Sequence, residues 1–501
     1  MSSIRLKYSG LVNFASRIIS VATGLIFTII VTRRLSEESF GAWQFYSSLL
    51  GYFTIPSGIV NYWLTRDLAR GNPVAKSGVF FNSLVSLVSA TLFIILSPFF
   101  TASVSIDFLT VFAFILWIVV IHHTLSLEAV CSGVEPHIIG YASIIFEVTK
   151  VVIGAILVGY LRLMLFGAVL SVDIALIIQA LYYSLKLSKY FNKAFSLGHV
   201  KRWFRNGWIP LISNAPAIMN AQDVLILTLL TGSLLPAAYL GVANRFAGAI
   251  VFAGALAVGL YPKLLSGGTG RDVEESLELV LLFLMPMVLG QIILAEPILY
   301  LFREEYALVQ WVLRTMAVCF AIIVMKNFFS AIILGVEKTD ISVNATWRNL
   351  AKSYLMKIPL FDFAGSAVYV ISVSLATIVL KDMNATPTLI AFSAAICSLL
   401  INMLLLLYYL KTSRKLIRFN LNMWRPLKFL ASALAMSMVL LLLYPESAKS
   451  EQILIVLTAL MPVMLVGIIV YFGTLYLIDS KFRTLLKSVF KWRQTETSGS
   501  S

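Results

Sequence analysis

The sequence predicts an all-α polytopic membrane protein of about 14 transmembrane helices, arranged as two pseudo-symmetric six-helix lobes followed by two additional helices. Three observations predict it. Of the 501 residues, 59% are apolar and only 13% are charged, where a soluble chain is about half apolar and about a quarter charged. Fourteen stretches approach the roughly 20 apolar residues that a spanning helix requires, and with their short connections they use nearly the whole length. A self-comparison at an offset of 200 residues superposes the first pair of stretches on the seventh and eighth.

The stretches run near 9–32, 40–64, 78–100, 106–130, 141–160, 163–185, 207–231, 238–262, 278–302, 308–334, 363–380, 387–410, 427–444 and 452–478. The first follows Arg5 and Lys7, exceeds the length of a signal-peptide core and has no convincing small-residue cleavage site, so it reads as a retained span. Pro56, Pro216 and Pro286 fall inside spans. A bundle tolerates them as kinks, because neighbouring helices satisfy the freed carbonyls. The Ser-rich end, Thr497 to Ser501, reads as disordered.

Charge fixes the expected orientation. With the N-terminus inside, 28 Lys and Arg fall on inner segments, whereas the outer loops carry only Arg33, Arg34, Arg162, Arg303, Lys381 and Lys449. That asymmetry is the positive-inside signature, and it requires an even number of spans. The expected location is the plasma (cytoplasmic) membrane with both termini in the cytoplasm. The net charge of +15 then sits mainly in Lys186–Arg205, Lys411–Lys428 and Lys481–Arg493, against the anionic inner leaflet. Membrane lipids, not nucleic acid, are their expected partner.

In the 200-residue repeat, Leu25 falls on Leu225, Thr28 on Thr228 and Gly41 on Gly241, and the turn opening at Ser36 falls on the one opening at Pro236. The implied organisation is a first lobe at 1–200, a second at 201–410, two extra spans within 411–480 and a basic tail at 481–501. The stretch Leu35-Ser-Glu-Glu-Ser-Phe-Gly-Ala-Trp, with Ile55-Pro-Ser-Gly58 and Leu64-Thr-Arg66-Asp-Leu-Ala, resembles the first hairpin of polysaccharide transporters, the Wzx-type flippases of lipid-linked oligosaccharides. Tyr239-Leu-Gly-Val-Ala-Asn-Arg245-Phe, running to Leu260-Tyr-Pro262-Lys, is similar to that family's eighth span. The resemblance extends to the larger group of multidrug exporters and lipid II flippases. It implies a V-shaped pair of lobes, alternating access, and polymerase or glycosyltransferase partners in polysaccharide assembly.

Five basic residues remain within spans: Arg17, Lys150, Arg245, Arg314 and Lys326. A charge at the bilayer centre costs about 2.5–3.5 kcal/mol on insertion scales, so these should face the bundle interior or water. Lys150 lies one turn after Glu147, and the two either neutralise each other or serve the cavity. Arg314 and Lys326 lie nearer span ends, where snorkelling competes with a cavity role. Arg17 and Arg245 occupy the two repeat-related hairpins and are expected to line the cavity. Asn214, Asn220 and Gln222 make the seventh span unusually polar, and Asn244 adjoins Arg245. Asp223 either pairs with Arg245 or binds a proton or cation; Asp173 and Glu296 are weaker cases of the same kind.

Other chemistries find little support. The adjacent His122 and His123 point about 100° apart on a helix and make no two-ligand metal face. Cys131, Cys319 and Cys397 have no CxxC spacing and read as packing residues. No GxxxxGK[ST] loop, no nucleophile constellation and no long loop for a transferase site occurs, so neither an enzyme nor a cofactor is predicted. Asn384-Ala-Thr386 matches a glycosylation acceptor, but Pro387 and a short loop argue against its use. A basic cavity suits phosphate or pyrophosphate, which arginine's forked donors and a lysine ammonium recognise. The predicted function is outward flipping of a polyprenyl-(pyro)phosphate-linked oligosaccharide, with H+ or Na+ coupling left open. The alternatives are an ion-coupled multidrug or metabolite antiporter and an intramembrane assembly enzyme or subunit.

Overall fold

The computed structural model describes residues 20, 23–69, 71–191, 195–205, 207, 210–211, 219, 222–257, 260–265, 267–337, 352–420 and 424–484. Arg17, Asn214, Asn220, Pro216 and most of the basic tail lie outside the described residues. Among those described, no strand occurs. The helices in chain order are α1 (23–34), α2 (Glu37–Ala69), α3 (Ala75–Ser103), α4 (Phe108–Val134), α5 (His137–Gly154), α6 (Met164–Leu187), α7 (Leu197–Arg205), α8 (Asp223–Thr231) and α9 (Leu235–Ala247). They continue as α10 (Phe252–Ala255), α11 (Leu260–Leu265), α12 (Gly270–Ile293), α13 (Ala295–Tyr300), α14 (Gln310–Val336), α15 (Tyr354–Asp382), α16 (Pro387–Leu416), α17 (Trp424–Leu442) and α18 (Ile453–Ile478).

Eleven helical stretches among the described residues are long and apolar enough to cross a membrane. They coincide with predicted spans three to six and eight to fourteen. The 33-residue α2 matches the second, while α1 and α8 are the described parts of the first and seventh. Leucines such as Leu185, Leu442 and Leu477 are 77%, 76% and 74% exposed. In water so many bare side chains would be untenable, and in lipid they need no cover. The chain is therefore a multi-pass membrane protein.

Helix starts follow local chemistry. The Ser36 hydroxyl accepts from the Ser39 amide at 3.1 Å ahead of α2, and Asp107 accepts from the Thr110 amide at 3.0 Å at the head of α4. Thr269 and Asp272 form a capping box, which starts α12 at Gly270 instead of the predicted 278. Hydropathy cannot see that first turn, because it stands among acidic residues before the apolar run begins. Likewise α15 starts at Tyr354, ahead of the predicted 363. The predicted continuous eighth span is broken: α9 gives way to a 3₁₀ turn at Gly248–Val251, then to the short α10 and α11.

The chain divides into two compact units, 1–242 with 366–394 and 243–365 with 395–501. In the first, α2, α3, α4, α6 and α7 share a core that includes Leu64, Leu68, Leu127, Val130, Tyr183 and Trp203. Its tightest crossing joins α2 to the start of α9. A Cβ on Gly41 would stand 2.5 Å from the Leu234 carbonyl oxygen, and one on Gly241 would overlap the Gln44 amide. These are the two glycines that the repeat superposes; a larger residue at Gly41 meets backbone, and one at Gly241 must displace the Gln44 side chain. The Tyr239 hydroxyl adds a hydrogen bond to Glu37 at 3.0 Å.

In the second unit, α11, α12, α14 and α16 pack around Leu264, Val280, Val324, Phe329, Ile332 and Tyr409. The two additional helices are tied to α12 and α13 at both ends. At one, Arg425 bonds Glu278 and reaches Asp479 at 3.0 Å. At the other, Glu296 accepts from the Tyr444 hydroxyl at 3.0 Å and meets Lys449 at 3.3 Å. Gly467 lets α18 approach Leu440 of α17.

Candidate functional site

In the first unit, Lys150 of α5 lies 2.8 Å from Glu147, one turn earlier on the same helix, and both side chains are only 12% exposed. The Thr23 hydroxyl donates to the same carboxylate at 2.8 Å. The ammonium also sits over the rings of Phe27, 5.5 Å away, and Phe146, 4.8 Å away. Apolar walls and the Glu147 carboxylate thus hold a charge that lipid alone would reject. Beyond this pair α5 changes to a π-helix at Ala155–Tyr160, the kind of local widening found often at functional sites.

Asp223 heads α8. Its carboxylate accepts from the Val224 amide at 2.8 Å and from the Tyr369 hydroxyl at 3.1 Å. Asp173, in α6, is fully buried, and neither carboxyl oxygen has a hydrogen-bond partner among the described residues. Of the predicted carboxylates it alone has no recorded partner among those residues, which leaves it open to a proton or a small cation.

In the second unit, Asn244 and Arg245 occupy the last turn of α9, immediately before the 3₁₀ stretch. Arg245 is exposed, and the Asn244 Oδ1 is buried without a hydrogen-bond donor among the described residues. Interrupted helices of this kind mark substrate sites in membrane transporters, because they free backbone and aim side chains into a cavity. The following residue, Phe246, lines an apolar cavity of about 370 Å³ with Phe283, Met287, Met436, Met464 and Tyr471. Successive helical residues diverge by about 100°, so Asn244 and Arg245 turn away from Phe246, and neither lines the slot. Gln291 secures the junction by donating to the Phe246 carbonyl at 3.3 Å.

Arg314 begins α14 and donates from Nε to the Ile292 carbonyl at 3.1 Å, with its guanidinium over Trp311. It satisfies a carbonyl at the C-terminal end of α12, where helices leave such groups orphaned. Lys326 is 3.5 Å from Asp362 of α15, with side chains 12% and 28% exposed. Asp362 and Tyr369 were not among the sequence candidates. Lys326 could be read as snorkelling from a span end, and Asp362 stands just ahead of the predicted eleventh span. Also unanticipated is Asp67 at the end of α2, 1% exposed, which accepts from Arg202 at 2.7 Å and from the Trp203 indole at 2.7 Å. This cluster pins α7 to the bundle.

The predicted packing residues behave as such. His122 is buried with Nδ1 facing the Ile118 carbonyl at 2.7 Å. No grouping of three metal-ligating side chains occurs among the described residues. The three cysteines are unpaired as disulfides.

No family model matches the chain, and no curated protein matches it in sequence. Solved structures do. The chain is similar to the inward closed conformation of the lipid II flippase MurJ, at 15% identity and a TM-score of 0.63, over 95% of this chain and 99% of that one. It is also similar to the inward-facing conformation of a multidrug resistance MATE family transporter of the MOP superfamily, at 14% identity and a TM-score of 0.56, over 81% and 98%. The chain shares the fold of these two structures.

Proposed function

We propose that this protein is an alternating-access flippase that carries a polyprenyl-(pyro)phosphate-linked oligosaccharide from the cytoplasmic to the outer leaflet. One observation carries the reading: Asn244 and Arg245 stand at the break in the eighth span, next to Phe246 and the apolar cavity it lines. A cationic residue one position along the chain from a residue of an apolar slot suits one molecule with an anionic junction and a hydrocarbon tail. Arginine's planar fork matches phosphate oxygens bidentately, while an apolar slot accepts a hydrocarbon tail by van der Waals packing. Lys150, Lys326, Arg314 and, from the sequence, Arg17, Asn214 and Asn220 are the further residues proposed for the headgroup, in two repeat-related lobes proposed at 1–200 and 201–410.

The fold shared with the lipid II flippase MurJ agrees with an amphipathic cargo. Transport needs no nucleotide. An anion moving outward down an inside-negative potential gains about 2.3 kcal/mol per charge per 100 mV. Asp173, buried without a donor, is the proposed place for H+ or Na+ coupling, with Asp223 and Glu147 as secondary groups. The same carboxyl favours a second reading, an ion-coupled antiporter of drugs or metabolites like the MATE transporter whose fold it shares.

Headgroup transfer in proteoliposomes separates them. With Arg245→Ala, transfer of a polyprenyl diphosphate oligosaccharide should fall at least about tenfold, or about 1.4 kcal/mol, while Arg245→Lys should retain part of the rate. An unchanged Arg245→Ala rate contradicts the assigned role, and uptake of a cationic dye with no lipid transfer favours the antiporter.

A further inference from the structure

A second cavity, of about 680 Å³, lies wholly within the first unit, where α2, α4, α6 and α9 all begin. The charge bias of the loops assigns that end to the outside. Glu38, Ser39, Asp107, Arg162, Phe166 and Ser233 line it. Arg162 stands in the hairpin between the π-helical end of the fifth span and α6, with φ of 55°, and Met164 follows at 47°. Side chains at such positive φ are uncommon and recur where the backbone must hold a group in place.

The chemistry of the lining narrows the ligand. Asp107 is committed, with its oxygens accepting from the Thr110 amide at 3.0 Å and the Thr110 hydroxyl at 2.6 Å. Ser39 shares a hydrogen bond with Ser36 at 2.9 Å, and Ser233 accepts from the Leu235 amide at 3.3 Å. Glu38 and Arg162 make neither a hydrogen bond nor an ion pair among the described residues, and both are exposed. A free anion is disfavoured by two carboxylates against one guanidinium. A metal ion is disfavoured by the guanidinium and by the engagement of Asp107.

What remains is a ligand whose groups both donate and accept. Sugar hydroxyls do this: vicinal oxygens accept from the guanidinium fork, their protons go to Glu38 and the serines, and an apolar ring face lies on Phe166. The volume falls within the range of small-molecule pockets and exceeds what one ion needs. We infer that this vestibule is an oligosaccharide-binding site, which holds the glycan by its hydroxyls, apart from the cationic residues proposed for the phosphate. The inference rests on the reading of the cargo as a lipid-linked glycan.

The test uses the full-length protein in nanodiscs and the phosphate-free oligosaccharides released by mild acid from the lipid-linked pool of the cells that make it. Binding is measured by calorimetry, and transfer of the intact lipid-linked pool is measured in proteoliposomes. Saturable binding that weakens at least about tenfold in Arg162→Ala and in Glu38→Gln, with partial recovery in Arg162→Lys, is expected. Glu38→Gln is isosteric and exposed, and it keeps the test decisive if Arg162→Ala does not fold. Transfer without free-glycan binding, or binding that neither variant weakens, overturns the vestibule and leaves the flippase reading intact. Binding that both variants weaken, without transfer, keeps the vestibule and removes the flippase reading. Loss of both overturns both.

Discussion

Two of the lysines inside the spans, Lys150 and Lys326, are neutralised by a neighbouring carboxylate, and this determines what their replacement does. Lys326 and Asp362 stand 3.5 Å apart and are mostly buried. Removing one member leaves the other uncompensated in a low-dielectric interior, where the cost is about 3–5 kcal/mol. Asp362→Asn should therefore lower the thermal unfolding midpoint in detergent by several degrees, and the double change Lys326→Met with Asp362→Leu should recover most of the loss. A midpoint unmoved by Asp362→Asn would show that the pair is not a neutralising one. Lys326, Lys150, Arg245 and Arg314 were legible in the sequence because hydropathy isolates a charge in a span. Their partners were less so. Glu147 is found at helical spacing, whereas Asp362 comes from a different segment, as does Tyr369, the partner of Asp223, and pairing across segments leaves no trace in local pattern.

At the scale of elements, the helices that depart from regular α geometry are the informative ones. Hydropathy located the eighth span but not its break after Ala247, since Gly248–Val251 is as apolar as a continuous helix would be. The π-helical end of the fifth span was likewise hidden, because a π-turn changes hydrogen-bond register without changing composition. Filling the α2–α9 crossing makes a sharp test of packing. Gly41→Ala places a methyl against the Leu234 backbone, and a steric conflict with backbone costs about 1–3 kcal/mol, read as a lower unfolding midpoint; an unchanged midpoint would remove the close approach from the account.

The additional helices give a pH signature. Burial raises the affinity of Asp479 for a proton, but the Phe482 amide and Arg425 outweigh it and hold the carboxyl below its ordinary value. A depressed folded value stabilises above the ordinary carboxylate range, about pH 4, and that contribution is lost as pH falls through it. Wild type should lose stability below about pH 4 more steeply than Asp479→Asn, as followed by thermal unfolding between neutral and acid pH. Parallel curves would mean that Asp479 carries no such linkage.

For the whole molecule, length and composition sufficed for a multi-pass all-helical chain, because a bilayer leaves few other ways to satisfy a backbone. The fold is shared with the MurJ and MATE structures at 15% and 14% identity, where the sequence gives no family or curated match. The apolar cavity beside the additional helices was not legible. It is assembled from α9, α12, α17 and α18, whose apolar faces read in sequence as ordinary lipid contact.

The most direct measurement of the central claim is the outward rate of a polyprenyl diphosphate oligosaccharide in proteoliposomes, scored by an impermeant headgroup reagent under an imposed potential. The account predicts transfer far above that of protein-free vesicles, faster when the donor side is negative. A rate equal to that of empty vesicles at every potential would contradict it.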